Sequence, residues 1–257
     1  MEFSIDITLW LILCGVALLA GFIDAIVGGG GMLTVPTLLT SGLPPHLVLG
    51  TNKLAASFGS FTASFTFYRK KLFDPVFWKL SIIATALGAI IGTLIVNVLS
   101  ISFLEKALPI LVLLTAVYTL CAKSVVNDEV SLPEKNTKLK VKQILQGLTL
   151  GFYDGFAGPG TGAFWMASSS AIYKINILLS SGLARSTNFI SNFFSLLTFA
   201  YLGHIDLLLG LSMGLFMMLG AWIGARSAIK HGGKFIRPIF IITVIVMSIN
   251  LAYRAWL

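Results

Sequence analysis

Four ionisable side chains of this 257-residue chain lie inside long apolar runs: Asp24, Lys53, Asp154 and Arg185. A charged group at the centre of a bilayer costs on the order of 3 kcal/mol or more, so each must be paired or functional. Two cations of this kind could draw in an anion, the arginine as a bidentate fork and the lysine as a point charge. Alternatively each cation neutralises the aspartate of its own half, Asp24 with Lys53 and Asp154 with Arg185. The aspartates could cap backbone N–H groups, pair with the cations or carry a proton. Each stands four residues before a glycine cluster, Gly28 to Gly31 in one case and Gly158, Gly160 and Gly162 in the other. Glycines permit a helix to break. A helix that restarts after the break offers free N–H groups and a positive dipole end, which suits an anion. The substrate-binding candidates are therefore Lys53, Arg185, Gly29, Gly30, Gly31, Asn52, Gly160, Thr161 and Asn188, with Asp24 and Asp154 in coupling or structural roles. Close helix packing is the plainer use of the glycines.

Other chemistries lack their parts. Neither glycine cluster continues as the GK[ST] of a nucleotide-binding loop, and no GxSxG or HExxH occurs. His46, His204 and His231 are scattered over separate loops, which argues against a metal site. Asp74 and Asp206, at segment edges, read as loop residues. Cys14 and Cys121 both lie in apolar runs, so no disulfide framework is expected. The chain reads as neither an enzyme nor a cofactor protein.

The elements that must position these residues are membrane helices. Hydrophobic residues make up 56% of the chain and charged residues 11%, against about 25% charged in soluble domains, and the mean hydropathy is +0.92. The net charge of +8 reads as basic loops on the cytoplasmic side, not as nucleic-acid binding. Long apolar segments fall at about 9–29, 47–68, 76–98, 104–122, 141–158, 178–200, 207–229 and 235–254. Two shorter ones, about 31–43 and 160–173, follow directly on the glycine clusters. The start of the chain has Glu2 and Asp6 but no basic residue, so the first apolar run is expected to remain as a helix instead of being cleaved as a signal peptide. The five tryptophans, at 10, 78, 165, 222 and 256, lie mostly near segment ends, as an interfacial belt would have them.

The chain is also internally repeated. At an offset of 130, Gly21, Phe22, Asp24, Gly28 and Gly30 fall on Gly151, Phe152, Asp154, Gly158 and Gly160. At an offset of 132, Lys53 falls on Arg185, Phe67 on Phe199, Asp74 on Asp206, and Leu87-Gly88-Ala89 with Ile91-Gly92 on Leu219-Gly220-Ala221 with Ile223-Gly224. The reading is an all-α polytopic bundle with a first repeat at 1–122, a cytoplasmic linker at 123–140 and a second repeat at 141–257. Charge decides the relative orientation. If the short segments do not cross, the copies are parallel and the basic residues divide ten against six. If they cross, the copies are inverted, both termini are outside, and fourteen basic residues lie inside against Lys106 and Arg254 outside. The second division favours inverted repeats with glycine-broken short helices.

Inverted repeats with broken helices at matching positions are the pattern of secondary transporters, whose site lies at the repeat interface. The segments GFIDAIVGGGGMLTVP, GTNKLAASFGS, GFYDGFAGPGTGAFW and RSTNFISN resemble the TauE/SafE family of sulfite-exporter permeases, particularly its YfcA-like branch. That resemblance spans about Leu9 to Arg254. It implies a multi-pass protein of a bacterial inner membrane that moves a sulfur-containing anion such as sulfite, thiosulfate or a sulfonate. It leaves substrate, direction and coupling ion open, and homo-oligomerisation likewise. Two alternatives stand beside it: a proton-coupled transporter of another solute that uses Asp24 and Asp154, and a non-transporting membrane scaffold. Arg185 departs from its repeat partner Lys53, so the two cations would be chemically uneven.

Overall fold

The computed structural model describes residues 6–100, 103, 132–232 and 235. The segments expected at 104–122 and 235–254 lie, but for Phe235, outside the described residues. Among those described, the chain is all helix: α1 (Ile7–Val27), α2 (Gly30–Leu39), α3 (Pro45–Arg69), α4 (Lys79–Val98), α5 (Thr137–Phe156), α6 (Thr161–Tyr173), α7 (Ile177–Tyr201) and α8 (Leu207–His231). Helix α5 begins inside the stretch read as linker. Its start is set by Asn136, whose side chain accepts from the Leu139 N–H at 2.8 Å, and its first turns carry the exposed Lys138, Lys140 and Lys142. Asn176 and Asp206 cap α7 and α8 in the same way.

Helices α1, α4 and α8 are long and apolar enough to cross a membrane. Helices α3 and α7 have the length, at 25 residues each, but carry the polar interior of the bundle. Their buried residues include Thr51, Asn52, Lys53 and Ser57 on one, and Arg185, Thr187, Asn188 and Asn192 on the other. The outer faces instead expose Leu11, Leu19, Phe61, Leu87, Leu215 and Trp222. Polar residues inside and large apolar ones outside reverse the arrangement of a water-soluble domain.

The halves are built into one another. Helix α1 packs parallel to α8, so that Leu18 meets Gly220 and Phe22 meets Gly224; α4 packs parallel to α5, so that Gly88 meets Leu148 and Gly92 meets Phe152. The repeated LGA-IG motif thus gives each half's fourth helix a close-approach face for the first helix of the other half. Helices α3 and α7, which are repeat equivalents, cross antiparallel: Ser64 bonds Ser186 at 2.9 Å, the Phe61 and Phe189 rings lie 5.2 Å apart, and Lys53 bonds Asn192 at 3.1 Å.

The short helices do not continue in the direction of the helices before them. Along α5 and α6, Thr161 bonds Asp154, Gln146 bonds Ser168 and Lys142 bonds the Ile172 carbonyl. The two helices therefore form an antiparallel hairpin. Helix α2 likewise starts against Ala20 and Asp24 of α1 and returns to the end where α3 begins. A hairpin brings the chain back to the end it left, as two full crossings would, which is why the loop charges alone could not tell these apart. Gly28 and Gly158 make the breaks with φ of 86° and 90°, in the left-handed region that favours glycine. Every described lysine and arginine other than Lys53 and Arg185 lies at one end of the bundle, with the start of α4 and the end of α8.

At the opposite end, His204 Nε2 lies 2.8 Å from Asn97 Oδ1, and His46 Nε2 lies 3.2 Å from the Val96 carbonyl. The two imidazoles are 5.3 Å apart. Burial, with the His46 ring second, holds the His204 imidazole below its ordinary value of 6.5. A depressed folded-state value means that the unfolded chain takes up a proton first as pH falls. The stabilising contribution is complete above the ordinary value and disappears as pH falls through the folded one. Thermal stability in detergent should therefore decline as pH falls below the ordinary histidine value of 6.5, and His204→Gln should flatten that decline. A second expectation concerns packing: a Cβ on Gly151 would sit 2.3 Å from the Thr85 carbonyl oxygen, whereas one on Gly15 would have nothing within 4 Å. Gly151→Ala should destabilise by about 1–3 kcal/mol and Gly15→Ala should not, read as melting temperature.

Candidate functional site

The two glycine breaks meet in the middle of the bundle, where the Ala163 N–H donates to the Gly28 carbonyl at 3.3 Å. The approach is so close that a Cβ on Gly28 would lie 2.3 Å from the Gly162 carbonyl carbon. Between the breaks lies a cavity of about 20 Å³, lined by both aspartates, Lys53, Asn52, Asn188 and Asn192, and by glycines of both clusters. That is room for about one water-sized sphere.

The charges are paired across the halves. Lys53 Nζ lies 2.9 Å from Asp154 Oδ1, and neither side chain is more than 2% exposed. The pairing runs between the halves and not, as in the alternative reading, within each: Lys53 takes the aspartate of the second half. Lys53 also donates to Asn192 Oδ1 at 3.1 Å. Arg185 makes the reciprocal approach, but to backbone: one Nη donates to the Asp24 carbonyl and the other to the Gly162 carbonyl at 3.2 Å. The guanidinium therefore ties the end of α1 to the start of α6, and it does not line the cavity. Two cations converge on the breaks, yet only the lysine faces the shared space.

The anion seats at the restarted helices are filled by the chain itself. The Gly30 N–H donates to Asp24 Oδ1 at 3.1 Å, and Asn188 Nδ2 donates to Asp24 Oδ2 at 3.3 Å. Thr161 Oγ1 donates to Asp154 Oδ1 at 2.9 Å. Each carboxylate thus sits at the N-terminus of the short helix after its own break, where the partial positive charge favours it. Asp154 Oδ2 and Arg185 Nε have no hydrogen-bond partner among the described residues. Of the remaining candidates, Gly31, Gly160 and Thr161 line the cavity, and Gly29 serves as the N-cap of α2 outside it. Asn52 both lines the cavity and accepts from Thr34 at 2.5 Å. Among the described residues, no group of three or more His, Cys, Asp or Glu is placed to hold a metal.

Residues 13–251 match the family described as "Sulfite exporter TauE/SafE". The chain belongs to the TauE/SafE family. It is 36% identical over 258 residues to the "Probable membrane transporter protein" of Haemophilus influenzae, which covers 98% of both chains. It is 36% identical over 238 residues to the "Probable membrane transporter protein YfcA" of Escherichia coli K12, covering 93% of this chain and 87% of that one. The "Probable membrane transporter protein ORF9" of a Sinorhizobium species is 34% identical over 239 residues, covering 91% and 89%. No solved structure matches. As a TauE/SafE protein the chain is a membrane transporter and not an enzyme, and its surroundings are lipid and a small solute.

One feature of this TauE/SafE chain escaped the sequence reading. Ser81 and Thr85 of α4, Gln143 and Gln146 of α5, and Trp165, Ser169 and Tyr173 of α6 form a buried polar seam. It leads from the basic end along the face of α5 that carries Asp154. Gln146 donates to Ser168 and Ser169, while Thr85 Oγ1 and Trp165 Nε1 find no partner among the described residues. At the repeat offsets these positions become Met213, Met217, Leu13, Val16, Val35, Leu39 and Leu43. Comparing polarity, not identity, between the repeats would have exposed the seam.

Arg185→Lys tests the tether. A single ammonium cannot reproduce the planar fork that spans two carbonyls. The substitution should lower stability by about 1–3 kcal/mol, read as melting temperature in detergent, even though the formal charge is kept.

Proposed function

We propose that the chain is a multi-pass inner-membrane permease that moves a small anion, a sulfur-containing oxyanion or an organosulfonate, by alternating access between two inverted repeats at 1–122 and 141–257. The observation that carries this reading is the Lys53–Asp154 pair, drawn from opposite halves and facing the cavity between the breaks. An entering anion replaces the Asp154 carboxylate as the partner of Lys53, while Gly160, Thr161, Asn188 and Asn52 offer N–H, hydroxyl and amide groups. The family description supports the sulfur-containing substrate class. Lysines and arginines gathered at one end support a cytoplasmic position for that end. The small cavity fits a closed state in which the hairpin breaks must part before an oxyanion can sit between them.

A second reading rests on Asp154 Oδ2, which has no hydrogen-bond partner among the described residues. Once Lys53 turns to the substrate, Asp154 lies unpaired at a buried position, where an uncompensated charge is costly. The aspartate then carries a proton with the anion, which makes the permease proton-coupled. Asp24, held by Gly30 and Asn188, stays structural.

Flux of labelled sulfite, thiosulfate and an alkylsulfonate into right-side-out and inverted vesicles tests both readings. Lys53→Gln alone leaves Asp154 unpaired and should cost about 3–5 kcal/mol of stability. The double variant Lys53→Gln with Asp154→Asn removes both charges and should restore folding while abolishing flux. Full flux from the double variant would refute the anion-binding role of Lys53. Asp154→Asn with Lys53 intact should transport without dependence on a pH gradient; retained dependence would refute the proton role.

A further inference from the structure

A second site lies away from the transport cavity, in a groove of about 820 Å³ between the last turns of α3 and α8 at the basic end. Its walls are apolar and aromatic: Phe61, Phe65 and Trp222 stand about half exposed, with Ile229 beside them. Its rim is cationic, formed by Arg69, Lys70, Arg226 and Lys230. None of these four pairs with a carboxylate among the described residues, and no acidic residue lines the groove. The Arg226 guanidinium stacks over the Trp222 ring at 4.0 Å, and that of Arg69 lies 5.9 Å from the Phe65 ring centre. No residue of the groove lines the central cavity.

Four unpaired cations above an apolar trough match a molecule with an anionic head and a hydrocarbon body. A free anion would need the rim but not the aromatic wall, and a neutral lipid would need the wall but not the rim. We propose that this groove binds one anionic phospholipid of the cytoplasmic leaflet, its phosphate held by Arg226, Lys230, Arg69 and Lys70 and its acyl chains laid against Phe61, Phe65 and Trp222. Arginine stacked on an aromatic ring keeps its edge N–H groups free for phosphate oxygens. Basic residues at the cytoplasmic end of membrane helices attract anionic lipids by the same electrostatics. Because the groove joins α3 to α8, the lipid bridges a helix of each half.

The test is binding of a fluorescent short-chain phosphatidylglycerol to the purified full chain in neutral micelles, against phosphatidylcholine of the same chains and against inorganic phosphate as competitor. Saturable binding of phosphatidylglycerol is expected, at least tenfold tighter than phosphatidylcholine and not displaced by phosphate. Removing two cations with Arg226→Gln and Lys230→Gln should weaken it roughly 30-fold, whereas Lys138→Gln with Lys140→Gln, at the same end but outside the groove, should leave it unchanged. Trp222→Leu keeps the apolar wall and loses the stack, so it should weaken binding several-fold and serves if the double variant does not fold. Equal binding of both lipids, displacement by phosphate, or equal weakening by the Arg226/Lys230 pair and the Lys138/Lys140 pair would overturn the proposal.

Discussion

An ion enclosed in an apolar bundle must be answered by a counter-charge or by aimed dipoles, and in this protein much of the answer comes from the opposite half. Lys53 of the first repeat is met by Asp154 and Asn192 of the second. Asp24 of the first is met by Asn188 of the second, and its carbonyl by Arg185. If each cation had neutralised the aspartate of its own repeat, either half would be electrically complete by itself. Crossed pairing makes the charge balance a property of the interface, so separating the halves would leave several buried groups unanswered at once.

The same constraint explains what could be read from the residues alone. Asp24, Lys53, Asp154 and Arg185 stand out because each interrupts an apolar run, and the glycine clusters stand out because they recur at a fixed offset. The short helices after the breaks were legible for that reason. The partner of Lys53 was not: Asp24 lies 29 residues away in the chain and Asp154 lies 101 away, and only the antiparallel crossing of α3 and α7 decides between them. The role of Arg185 was hidden because its partners are carbonyls, which every residue has. The polar seam was hidden because a single serine or threonine in a helix usually bonds the carbonyl one turn back, as Thr187 does here.

The two halves share an order of helices and differ in chemistry. The fork of Arg185 grips the peptide groups of both breaks, while the point charge of Lys53 holds a side chain that can swing away. One cation fastens and the other can exchange partners. The seam beside α5 adds to this difference, since its counterpart beside α1 is filled with methionine, leucine and valine.

The interleaving of first and fourth helices bears on how the protein is made. Helix α1 begins at Ile7 and its packing partner α8 at Leu207. At roughly 5–20 residues per second, the ribosome takes on the order of 10–40 s to deliver the second after the first. Through that interval the face of α1 that meets Gly220 and Gly224 has no helix to receive it, and the hairpin α1 forms with α2 must wait in lipid with Asp24 unmet by the second repeat. Assembly is therefore a late event, completed from the C-terminal side, and the first half resides in the bilayer as an unfinished surface.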